Sequence, residues 1–186
     1  MDIYTKVAGI TQESVKDYKH HTLPNHVLSR QEMKTKQIEN ALRGFAAGCA
    51  EEDIEAYCNT GAFSNGKKGF LFSKKGLYGS MFNHLRKKNP IPQPICYDEL
   101  SNVSVAGDSA DYMCLCYKDG RRESVCGSIY TGFLVTALKL ILGTGEENLS
   151  ASNTDGMLTN DESSESGYSY ETARRCLKEG LDALEE

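Results

Sequence analysis

The first residues carry no continuous apolar stretch: Met1-Asp2-Ile3-Tyr4-Thr5-Lys6 alternates charged, polar and apolar side chains. No secretory signal is legible there, which leads us to expect a cytoplasmic protein with reduced thiols. The cysteines agree, since seven is an odd count for a disulfide framework and the chain, at 186 residues, is long for one. A basic excess is also missing. The formal net charge is −5 and the sequence pI is about 5.5, which argues against a nucleic-acid binder. A hydrophobic run long enough to cross a bilayer is absent too. Residues 125–143 come nearest, but Ser128, Thr131, Thr136 and Lys139 interrupt them, and a span needs ~20 predominantly apolar residues. We read that segment as a buried helix.

Complete catalytic motifs are lacking as well. Gly61-Ala62-Phe63-Ser64-Asn65-Gly66-Lys67-Lys68 follows the G-x-x-x-x-G-K pattern but puts Lys68 where a phosphate-binding loop needs Ser or Thr to hold Mg²⁺. The segment also reads as a link from a helix to a strand, the reverse of the required context. Cys114 faces Val125 and Cys126 faces Met113 if the hairpin turns tightly at Asp119-Gly120. Alternation then puts Cys126 on the face opposite Cys114 and Cys116, so the three thiols do not converge on a metal. His20, His21 and His26 lie in a polar stretch without pattern, and Ser73-Lys74-Lys75 has the wrong spacing for S-x-x-K. No metal and no cofactor is expected.

What is present is organised. Residues 1–28 are weakly patterned. Residues 29–68 read as a helical extension. Its first helix starts at Ser29, with Glu32 at capping-box spacing and Ile38, Leu42 and Phe45 as a stripe. A shorter helix opens on Glu51, Glu52 and Asp53 and ends near Gly61. Residues 69–143 read as an antiparallel sheet plus a closing helix. Its strands are 69–73, 77–82, 103–106, 111–117 and 121–127, the prolines at 90, 92 and 94 form an extended connector, and the apolar helix runs over 129–142. That helix is apolar over too wide a face for the surface of a monomer. Residues 144–167 have the composition of a disordered acidic linker, and 168–186 read as an amphipathic helix.

Charge is segregated along the chain. Lys67, Lys68, Lys74, Lys75, Arg86, Lys87 and Lys88 occur with no Asp or Glu between the first and last of them, whereas residues 146–165 contain acidic residues and no Lys or Arg. Lysines on turns and sheet edges often serve only to deter aggregation. The functional expectation is that these seven residues form a basic patch that binds a protein partner or an anionic lipid or peptide, with the acidic stretch competing in cis.

Two phrases carry a resemblance. Gly69-Phe70-Leu71-Phe72-Ser73-Lys74-Lys75-Gly76-Leu77-Tyr78 and Ile95-Cys96-Tyr97-Asp98-Glu99-Leu100 resemble segments of the bacterial PH-like domain family, over about residues 45–142. The resemblance implies an α+β fold, a bent antiparallel sheet closed by a C-terminal helix, and no catalytic residues. It points to a non-catalytic binding module. The alternative is an enzyme whose site assembles from distant residues.

Overall fold

The computed structural model describes residues 1–82, 93–106 and 111–144. The basic residues Arg86, Lys87 and Lys88, the acidic stretch 146–165 and the helix expected over 168–186 lie outside them. The chain is α+β. Two short helices, α1 (Ile3–Ala8) and α2 (Gln12–Val15), precede strand β1 (His26–Ser29) and helix α3 (Thr35–Arg43). Strands β2 (Ile54–Asn59), β3 (Gly69–Ser73), β4 (Gly76–Gly79) and β5 (Ile95–Cys96) follow, and with β1 they form a five-stranded antiparallel sheet in chain order. A second sheet holds β6 (Leu100–Val105), β7 (Tyr112–Tyr117) and β8 (Arg122–Cys126), again antiparallel and in chain order. Helix α4 (Thr131–Leu142) ends at Gly143, whose left-handed φ of 73° terminates it as the sequence predicts. Among the described residues no helix is long and apolar enough to cross a membrane.

The first sheet is covered on both faces. Ala56, Cys58, Phe70, Phe72 and Leu77 face a core shared with the second sheet and with Phe133, Leu134, Ala137 and Leu138 of α4. Tyr57, Leu71 and Tyr78 face the other way, onto Ile38, Ala41 and Phe45 of the α3 region. Strands of this kind lose the alternation that a one-sided sheet would show. That explains why β2 reads as a helix in sequence: its acidic entry, Glu51–Asp53, is a single 3₁₀ turn, and the strand after it is buried on both sides.

The helix expected from Ser29 starts six residues later. Ser29 N–H does donate to the Glu32 carboxylate, at 2.7 Å, but the pair closes a turn after β1. Lys34 N–H donates to Gln37 Oε1 at 2.7 Å and performs the same service for α3. Residues 1–28, weakly patterned in sequence, carry two helices and a strand, and they bury Val7, Ile10 and Val15 in the core. They also account for the breadth of the apolar face of α4. Helices α1 and α2 cover the side of α4 that the sheets leave open, and a β-carbon at Gly132 would lie 2.6 Å from the His20 carbonyl oxygen.

Candidate functional site

Of the residues expected to form one basic patch, the four that are described divide into two places. Lys74 and Lys75 sit in the β3–β4 turn, 3.8 Å and 3.6 Å from the Asp53 carboxylate, and Lys74 Nζ also donates to the Glu52 carbonyl at 2.8 Å. Lys67 and Lys68 lie at the opposite end of β3, roughly 20 Å away at ~3.3 Å per strand residue. The sequence places all four close together because proximity along a chain disregards strand length.

Lys74 borders a cleft of about 420 Å³ between α1, the turn after β1 and the start of β2. Asp2, Arg30, Glu52 and Glu55 line it with both signs of charge. Much of that charge is satisfied internally: Asp2 caps α1 through Thr5 N–H at 2.7 Å, and Arg30 pairs with Glu51. The Thr5 N–H and hydroxyl hold the Asp2 carboxyl below its ordinary range.

The loop between β2 and β3 is built differently. Its backbone is held from below at four points. Gln37 Nε2 donates to the Ser64 carbonyl at 2.8 Å, Asn40 Nδ2 to the Asn65 carbonyl at 2.7 Å, Asn59 Nδ2 to the Gly61 carbonyl at 2.8 Å, and the Tyr57 hydroxyl to the Lys68 carbonyl at 2.7 Å. Gly66 is buried against α3 with φ of 79°. Such φ values suit glycine. Above these fixed points Phe63 projects into solvent with 79% of its surface exposed, the most exposed aromatic ring among the described residues. Lys67 and Lys68 are exposed on the same loop. Asn40 shares its helical stripe with Lys36 and Arg43, both exposed, with Glu39 between them. None of Lys36, Arg43, Lys67 and Lys68 makes an ion pair among the described residues.

In sequence this loop reads as a failed nucleotide motif, and nothing in that motif singles out Phe63. The available signal was a large apolar residue inside a Gly-, Ser- and Asn-rich loop. The preceding element is a strand and so meets half of the phosphate-loop context, but β3 follows where a helix would have to begin.

The structure also brings together a serine, a histidine and an aspartate. His20 Nε2 lies 3.1 Å from Asp111 Oδ1, and the Asp111 carbonyl accepts from the N–H groups of Gly127 and Ser128. Ser128 has φ of 52° and sits between β8 and α4. Nucleophilic catalysis needs the base within hydrogen-bond reach of the hydroxyl, and no hydrogen bond joins Ser128 Oγ to His20. We assign the group to structure: it fixes the 18–22 segment across the start of α4, where Gly132 N–H donates to the His20 carbonyl at 2.9 Å.

The cysteines require a correction. The β7–β8 register pairs Tyr112 with Cys126, Met113 with Val125 and Cys114 with Ser124. Cys114, Cys116 and Cys126 therefore share one face, contrary to the expectation from a tight two-residue turn. The loop has three residues, Lys118-Asp119-Gly120, closed by Tyr117 N–H to the Arg121 carbonyl at 2.9 Å, with Gly120 at φ of 87°. One additional loop residue moves the register by one and reverses the face. No family model matches this chain, and neither a curated protein nor a solved structure matches it.

Proposed function

We propose that the protein is a non-catalytic binding module that docks an acidic segment of a protein partner through the 61–68 loop. The observation that carries this reading is Phe63, exposed to solvent on a backbone held at four points, beside Lys67 and Lys68. Aromatic side chains that fill a partner's pocket dominate binding energy, and a loop already fixed in shape loses little entropy on docking. The neighbouring cations select a partner of negative sign.

A membrane surface is the weaker fit on magnitudes. Basic clusters that recognise anionic lipid use ~4–8 cations at ~1 kcal/mol each, and this loop supplies two beside one aromatic ring. The acidic stretch 146–165 has the sign to compete for the same cations in cis. The chain-order antiparallel strands closed by α4 also support a PH-like reading of residues 45–142, an architecture compatible with binding at loops.

The test measures binding of an acidic, aromatic-containing peptide library and of anionic vesicles to the wild type, Phe63→Ala, a Lys67→Glu/Lys68→Glu double variant and a chain ending at Gly143. Peptide binding that is lost in both loop variants and strengthened by truncation supports the reading. Selective vesicle binding would transfer the site to a membrane. Binding that survives both loop variants would place it elsewhere.

A further inference from the structure

The three-stranded sheet has one face in the core and one outside. Met113, Leu115 and Tyr117 of β7 point inward and are buried, so Cys114 and Cys116 project from the outer face, both half-exposed. Cys126 is on the same face, opposite Tyr112. Both Cys114 and Cys116 are free thiols. Alternate residues of a strand are separated by roughly 7 Å at ~3.3 Å per residue, and strand side chains lean along the strand. With χ1 rotamers that turn the two Cβ–Sγ bonds toward each other, the sulfurs of such a pair can converge on a single atom.

We propose that Cys114 and Cys116 form a two-thiolate site for a monovalent thiophilic ion, cuprous copper. Zinc is disfavoured because a structural zinc site needs four converging ligands, and among the described residues no group of three or more His, Cys, Asp or Glu is arranged to hold a metal. Soft thiolates select Cu(I), which is content with two of them in a line. Binding releases one proton from each thiol to solvent, with no change of oxidation state. Two thiolates and one monovalent cation leave a single negative charge, and Arg122, paired directly opposite Cys116 across the β7–β8 ladder, offsets it.

The experiment titrates the reduced full-length chain with Cu(I) under anaerobic conditions against bicinchoninate, a chromophoric chelator, and counts retained copper. The variants are Cys114→Ser, Cys116→Ser, Cys126→Ser and Cys49→Ser, with folding checked by circular dichroism. The expected result is one equivalent retained by the wild type, Cys126→Ser and Cys49→Ser, and lost in Cys114→Ser and in Cys116→Ser. Loss of copper from the wild type to the chelator, loss in Cys126→Ser, retention in either β7 variant, or uptake of zinc at the same stoichiometry would each overturn the proposal.

Discussion

A β-carbon on Gly66 would lie 2.1 Å from the carbonyl oxygen of Gln37, so the 61–68 loop is seated directly on the backbone of α3. The contact is with backbone, which cannot rotate aside. Gly66→Ala is therefore expected to lift the loop and to destabilise the protein by about 1–3 kcal/mol, combining a strained φ with a collision. Urea unfolding measures the first effect, and peptide binding through the loop should weaken with it. A variant as stable as the wild type would mean that the loop is not fixed to α3.

Phe63 and Phe133 make a matched pair of tests. Phe63 is exposed, so Phe63→Ala should shift stability by no more than about 0.5 kcal/mol while removing binding. Phe133 is buried and meets Phe72 edge-on, with ring centroids 6.4 Å apart and planes at 86°. Phe133→Ala should cost about 3–5 kcal/mol. Denaturant midpoints of the two variants, read side by side, separate a recognition side chain from a core one.

Tyr97 carries a hydroxyl that is buried and has no hydrogen-bond partner among the described residues. Burial raises its ionisation well above the ordinary tyrosine value. A buried polar group left unpaired costs about 1–3 kcal/mol, so Tyr97→Phe should leave stability unchanged or raise it. A destabilised variant would show that the hydroxyl has a partner.

Alkaline pH should unfold this protein through its thiols. Burial raises the fully buried Cys58 thiol far above its ordinary 9.0 and pushes Cys49 up to about 11. Both thiols are protonated in the fold where the unfolded chain would have thiolates. Above pH 9 the folded state therefore binds more protons, and stability declines as pH rises. Below pH 9 this contribution is present in full. Urea midpoints measured between about pH 8 and about pH 11 should fall, and the slope should be shallower for Cys58→Ala. Parallel slopes would assign the alkaline loss to other groups.

The sequence foretells the elements whose two faces differ. In the second sheet, β7 alternates buried and half-buried residues, and its period of two is plain; the 69–73 strand, buried on both faces, is found for a different reason, since lysines bracket its apolar run. β2 is hidden because α3 covers one face and the core the other, which removes any alternation to read. The cysteine arrangement depends on a single loop residue that composition does not count. Phe63 is hidden for yet another reason: exposure of an aromatic ring is a property of what holds the loop, and Gln37, Asn40, Asn59 and Tyr57 come from two other elements.

The packing of α1 against α4 has a consequence for the order of synthesis. Chains emerge N-terminus first at ~5–20 residues per second. Both sheets have neighbours in chain order, so each strand meets its partner as it leaves the ribosome, but α1 waits for α4 for the whole interval. Until Thr131–Leu142 is released, Val7, Phe72 and Leu77 lack the helix that completes their shared core. A nascent chain halted after β8 would carry this exposed apolar surface and become a client for chaperones, and release of residues 127–142 would end that dependence.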